Sequence, residues 1–457
     1  MNLPIELGRQ FCFSTTAGTL FIIFEQTTFM KLKISLLSIF ISFGLHAQTL
    51  SPAEEKMIDF IRINGEDQID FLGKSVNINS GTMNPRGVKE VGMLYKTELD
   101  AMGFETRWIP MPDSLQRAGH LFAEIKGGNG KTILLIGHLD TVFEEDHEFQ
   151  AFTRMDSIAS GPGVNDMKGG NAMIIYALRA LEAAGELKNK NIIVAFTGDE
   201  EKPGQPLSIS RHDLVEAGKK SDIALGFETA TGMNAATVAR RGSSGWNLKV
   251  KGREAHSSGI FSENIGAGAV FEGARILNAF YNEVKGEELL TFNPGVILGG
   301  TKIDYDPSQS RGTAFGKSNV VAGELVVYGG LRFISEEQKE NARAKMRKIV
   351  ANNLPGTSAE INFSDSYPAM KPTDGNLALL EVLDRVSRDL GYGEVKAYDP
   401  GRRGAADISF IAEYVNGLDG LGVMGGGAHS PGETINLNTI VPLTQRAALL
   451  IHRLGNN

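Results

Sequence analysis

The run Thr197-Gly198-Asp199-Glu200-Glu201 places three consecutive carboxylates directly after an apolar, strand-like segment, Ile192-Ile193-Val194-Ala195-Phe196. Acids crowded at the mouth of an α/β sheet repel one another and are costly to desolvate. They are stable as a solvated, helix-capping turn, or with cations between them. Four further segments bear on that choice. His138 and Asp140 follow an apolar run at 132–136. Asp166 stands in the glycine-rich loop 161–170, Glu228 ends the run 223–227, and His429 lies in the loop 425–433. Each has an ordinary explanation alone: an N-cap, a structural histidine, a surface loop. Together, at successive strand ends, they offer two histidines and three carboxylates with one shared, which suits two borderline cations such as zinc. Two divalent cations would match the charge of three carboxylates and a bridging hydroxide.

Elements far apart in sequence must carry these residues to one place. Ser51-Pro52-Ala53-Glu54 begins a helix, with Ser as N-cap, Pro at the first helical position and Glu completing a capping box. Amphipathic spacing predicts helices at 68–76, 87–102 and 171–184, the last growing out of the glycine-rich loop. Strands are predicted at 104–109, 121–126, 132–136, 192–196 and 223–227, with Gly127-Gly128-Asn129-Gly130 as a hairpin turn. Strands alternating with helices define an α/β domain with a largely parallel central sheet, whose ligands gather at strand C-termini. From residue 242 the pattern changes. Strands at 246–251, 325–331 and 359–363 with helices at 267–284 and 336–352 read as an inserted α+β domain, 242–366. A helix at 376–390, a helical segment at 408–414, a strand at 421–424 and a final helix at 442–454 return the chain to the first domain. The larger domain therefore comprises 48–241 and 367–457.

Composition limits the partners. The chain of 457 residues is 42% hydrophobic and 22% charged, with net charge −8 and no polybasic tract. Those values describe a globular protein and argue against nucleic acid or an anionic membrane as partner. Met30-Lys31-Leu32-Lys33 and the apolar residues 34–45 have the order of a signal peptide, with cleavage expected after Ala47; a signal anchor is the rival reading. Residues 1–47 then divide into an upstream extension and a signal peptide, and the mature chain is expected to be periplasmic or secreted, with no membrane contact after cleavage. The single cysteine, Cys12, lies in that segment. A metal site must therefore use His, Asp and Glu.

His138-Leu139-Asp140, Gly163-Val164-Asn165-Asp166-Met167-Lys168-Gly169, Asp199-Glu200-Glu201, Glu228 and the His429 loop resemble, in order, five motifs of the M20 zinc exopeptidases. That group includes glutamate carboxypeptidases, dipeptidases, succinyl-diaminopimelate desuccinylases and aminoacylases. The resemblance covers the chain from about Ser51 to Leu454 and implies a catalytic α/β domain with an inserted lid and dimerisation domain. It implies two Zn2+ ions, with Co2+ or Mn2+ as substitutes. His138 and Glu228 would hold one, Glu201 and His429 the other, and Asp166 would bridge them. Asp140 would accept a hydrogen bond from the second nitrogen of His138. Glu200 would be the general base and acid, serving a metal-bridging hydroxide.

In the inserted domain, Gly252-Arg253-Glu254-Ala255-His256 resembles the family's lid histidine motif, so His256 would stabilise the oxyanion, reaching it from the partner of a homodimer. Asn319 and Arg332 match substrate-contacting positions, although Gly330 stands where an acid often precedes that arginine. Gly401-Arg402-Arg403-Gly404-Ala405-Ala406-Asp407 occupies the family's substrate-binding glycine loop but has Arg403 where glycine is usual. Arg402 or Arg403 could grip a substrate carboxylate or face solvent. The expected activity is hydrolysis of an amide in a small peptide or N-acyl amino acid, as a glutamate-carboxypeptidase-like exopeptidase. The alternatives are an N-acyl-amino-acid deacylase and a silent metal or peptide binder.

Overall fold

The computed structural model describes residues 50–456; the signal segment and Cys12 lie outside them. Two apolar runs dictate the centre. In Thr132–His138, Ile133 and Leu135 enter the core on one face of the sheet, while Leu134 and Ile136 enter the core on the other. Asn191–Thr197 does the same, Ile192, Val194 and Phe196 against Ile193 and Ala195. Successive side chains point to opposite faces, so an unbroken apolar run marks a strand buried on both sides. The six-stranded sheet runs Glu105–Ile109, His120–Lys126, Asn191–Thr197, Thr132–His138, Ile223–Gly226, Gly417–Leu418. Its first two pairings are antiparallel and the remaining three parallel. Helix Gly169–Ala183, buried along most of its length, packs on one face with Ile440–Leu454 and Pro52–Ile63.

The largely parallel sheet matches the expectation, with local corrections. Gly127–Gly130 is no hairpin turn: Asn191–Thr197 is inserted between the strands it joins, pairing antiparallel with one and parallel with the other. Apolar strands that can bury both faces take the central places, which overrides the local turn preference. Residues 421–424 form no strand of the central sheet; its last strand is Gly417–Leu418, and residue 424 makes only an isolated bridge to Ala230. The helical segment at 408–414 shrinks to the short turn Asp407–Phe410, because Asp407 is tied to neighbouring side chains rather than capping a longer helix.

The segment from Gly242 onward forms a second sheet, antiparallel throughout, in the order Thr291–Gly300, Glu324–Phe333, Gly242–Lys251, Ser358–Asp365. Buried residues alternate along Gly242–Lys251, and Trp246, Leu248 and Val250 join Ile276, Val327 and Met346 in a core of their own. Helices Gly268–Ala279 and Glu336–Val350 supply that core. Thr291–Gly300 and the hairpin Lys302–Asp306/Arg311–Phe315 were not expected from sequence. Thr291–Gly300 is an edge strand, mostly exposed and broken by Pro294 with a register shift, so it has no clear alternation to read.

Candidate active site

Parallel pairing brings the acids together. His138 lies opposite Thr197 in register, and Ile136 opposite Gly226, so the ends of three adjacent strands open on one edge. Asp140, Glu200, Glu201 and Glu228 lie immediately beyond those ends. Gly137 is required there: a Cβ would fall 2.0 Å from Asn171 Oδ1, and Asn171 Nδ2 donates 2.6 Å to the His138 carbonyl. The His429 loop arrives on a separate small sheet, where Gly425–Gly426 pairs with Thr434–Asn436 and that strand with Ile158–Ser160. His429 itself sits in the left-handed region at φ 62, a conformation unfavourable for a residue with a Cβ.

Two triads result, sharing Asp166. His138 Nε2 lies 3.2 Å from Asp166 Oδ1 and 3.7 Å from Glu228 Oε1. His429 Nε2 lies 3.3 Å from Asp166 Oδ2 and 3.0 Å from Glu201 Oε2. In each triad one ligand atom per residue lies within 4.8 Å of the others. The two oxygens of Asp166 thus face different histidines, as a bridging ligand requires. The donors are imidazole nitrogens and carboxylate oxygens, a set that suits divalent cations of borderline hardness.

The electrostatics point the same way. Burial pushes Glu228 up to about 8, with Asp166 adding repulsion. Burial also raises Glu201, and lifts Glu200 well above the carboxylate range, with Asp407, Glu228 and Glu201 adding to it. Hydrogen bonds to Asp166 and Glu201 raise His429 to about 11. Burial opposes a charge on His138, yet Asp140, Asp166 and Glu228 hold its pKa well above the usual value. Carboxylates crowded and buried in this way favour divalent cations held between them.

The surrounding residues set orientation. His138 Nδ1 donates to the Asp140 backbone carbonyl at 3.0 Å, while the Asp140 carboxylate stands 3.5 Å away. The carboxylate expected to accept from that nitrogen is thus at the limit of hydrogen-bond distance. The carboxylate is engaged elsewhere, accepting from the amides of Glu200 at 2.9 Å and Glu201 at 3.1 Å and from Thr82 Oγ1 at 2.7 Å. Asp140 therefore aims the acidic turn as well as the histidine. Asp199 is buried, its carboxylate gripped by Arg211 at 2.5 Å, and Arg211 also binds Asp407 at 2.8 Å. Tyr367 donates 2.6 Å to the Glu200 carbonyl. Glu433, 1% exposed, accepts from the amides of Asn165 at 2.7 Å, Asp166 at 2.9 Å and Gly163 at 3.2 Å. Tyr367, Arg211 and Glu433 were missed as site residues. Only Glu433 carried a signal, as an acid inside the histidine loop.

A cavity of about 340 Å³ is lined by Asp166, Glu200, Glu228, His429, Arg240 and Arg403, among others. A cavity of about 390 Å³ between strand Glu105–Ile109 and helix His212–Lys219 contains none of the expected site residues. His256, Asn319 and Arg332 are exposed and do not line the active-site cavity. His256 pairs with Val320 in an isolated bridge, which sets it beside Asn319. Arg332 pairs in register with Thr291 and Ser243.

The fold and the paired triads are those of a divalent-metal hydrolase, and comparison with known proteins identifies which. Residues 134–453 match the description "Peptidase family M20/M25/M40", and the chain belongs to that family. Carboxypeptidase G2 of Pseudomonas sp. is 26% identical over 393 residues, covering 85% of this chain and 89% of that protein. Succinyl-diaminopimelate desuccinylase of Gluconobacter oxydans is 26% identical over 363 residues, covering 76% and 87%. Among solved structures, aminopeptidase PepT of Bacillus cereus superposes with TM-score 0.68 at 18% identity, covering 86% of this chain and 99% of that one. The YXEP protein of Bacillus subtilis, described as a dinuclear metal-binding peptidase of the M20 family, gives TM-score 0.60 at 16% identity, covering 86% and 99%. These likenesses bear out the fold, and the family makes the chain a hydrolase of peptide or acyl-amino-acid bonds.

Proposed function

We propose that the chain is a two-zinc exopeptidase of the glutamate-carboxypeptidase type. The observation that carries this is the pair of triads sharing Asp166, with Glu200 outside both triads yet lining the same cavity. His138, Asp166 and Glu228 would hold one ion, and Asp166, Glu201 and His429 the other. Ions held there would polarise the scissile carbonyl and lower the pKa of water to about 7. The chain's own part is proton handling. Glu200 takes a proton from the attacking water and returns it to the leaving amine, and burial keeps its carboxylate basic enough to do so. Asp140 and Tyr367 hold the turn that presents it. An N-acyl-amino-acid deacylase would use the same centre. Carboxypeptidase G2, matched over 393 residues, supports the peptidase reading, and a desuccinylase matched over 394 supports the alternative to the same extent, so the assay below includes both substrate classes.

The test compares zinc-loaded wild type with Glu200→Gln on dipeptides ending in glutamate and on N-acetyl amino acids. Both proteins should bind zinc, with kcat reduced about 10²–10⁴-fold in the variant. Wild type that loads zinc and hydrolyses neither class sinks the reading. Export after cleavage at Ala47 and a homodimer through the segment 242–366 complete the proposal. Exposed Phe261 (67%) and Phe271 (55%) support the latter.

A further inference from the structure

Arg403 lines the cavity that contains Asp166, Glu200 and Glu228. It forms no ion pair among the described residues, and its buried Nε has no hydrogen-bond partner. Arg240, 4% exposed, commits Nε to Asp419 at 2.6 Å and Nη1 to the Gly404 carbonyl at 2.8 Å, but its Nη2 is also unpartnered. Two partly unsatisfied guanidinium groups therefore share one cavity. Burial and the charge of Arg240 both work against the charge on Arg403. Such an arrangement is unfavourable until an anion enters. The acids of the site are not that anion, since divalent cations bound between them would match their charge. Arg402 lines the same cavity, but it is exposed to solvent and lies over the Tyr398 ring at 5.6 Å, so it has no buried group left without a partner.

We propose that Arg403, together with Arg240, forms an anion subsite that takes a carboxylate carried by the substrate beyond the scissile amide. A planar carboxylate matches the guanidinium fork and can satisfy two N–H groups at once. The proposal rests on the hydrolase reading for where the amide lies, and it restricts the substrates to those with an acidic group near the bond that is cut.

Calorimetric titration of zinc-loaded protein with glutarate and with butyrate tests it without turnover. Wild type should bind glutarate at least about 10-fold more tightly than butyrate, a difference of about 1.4 kcal/mol. Arg403→Gly should bring the two within about two-fold, and Arg403→Lys should fall between. Zinc stoichiometry equal to wild type certifies that a variant is folded, and the Lys variant serves where the Gly variant fails that check. No glutarate preference in wild type, or a preference that survives substitution, overturns the subsite. Wild type that prefers glutarate but hydrolyses no substrate overturns the hydrolase reading and leaves the subsite standing.

Discussion

Glu433 shows how a residue remote from the reacting atoms holds them in place. Its carboxylate receives three backbone amides from the loop that carries Asp166, and burial pushes its pKa up to about 7 against their pull. Glu433→Gln keeps the shape but turns an amide donor toward amide donors. It should cost roughly 2–4 kcal/mol of stability and weaken metal binding about 10–100-fold. Thermal denaturation and competition with a chelator measure the two effects, and unchanged metal affinity would show that the loop holds itself. Tyr367→Phe leaves the ring packed against Phe410, at 4.9 Å, and removes the hydroxyl that donates to the Glu200 carbonyl and accepts, more weakly, from Arg211 Nη2 at 3.2 Å. A several-fold lower kcat with KM unchanged is expected, on the order of the ~1 kcal/mol of one hydrogen bond. A changed KM with kcat intact would contradict a role in aiming Glu200.

Between elements, the capping box at Ser51 does two things. Glu54 accepts from the Ser51 amide at 2.8 Å, and it also binds Arg453 at 2.6 Å, which links the first helix to the last. Arg453 bridges on to Asp389 at 2.6 Å. Burial works to raise the Glu54 pKa, but the hydrogen bonds from Arg453 and Ser51 outweigh it and the net shift is downward from 4.5. A lowered folded-state pKa means stability that is present above the unfolded value and lost as pH falls through the folded one. Glu54→Gln should therefore cost roughly 1–2 kcal/mol near neutral pH, less than a fully buried pair because Arg453 still meets solvent. The difference from wild type should shrink below about pH 4.5. Denaturant melts at both pH values check the sign; a constant difference would assign the effect to helix capping alone. The box itself was legible in the sequence because it spans one turn. The Arg453 contact was not, since 399 positions separate the pair.

For the whole molecule, the proposed homodimer makes a prediction about His256. It is exposed, beside Asn319, and outside the cavity of its own chain. If it acts across the proposed homodimer, inactive Glu200→Gln mixed with inactive His256→Ala should regain up to about a quarter of wild-type activity, since a mixed dimer assembles one intact site. Activity assays on purified heterodimers decide it, and no regain removes the trans arrangement.

The residue types and their order along the chain were enough to name the donor set, the alternation of strands and helices, and the family. Ligand chemistry depends on side-chain type, and buried strands announce themselves by apolar runs. Only the tertiary structure decided which acid faces which histidine, that Asp140 holds the Glu200–Glu201 amides as well as standing by the imidazole, and that of the two arginines lining the cavity Arg403 has a buried, unpartnered Nε while Arg402 is exposed. Those outcomes depend on sheet order and on loops that meet across hundreds of residues. Local spacing carries no trace of either, because the energies that select them come from burial and pairing between distant segments.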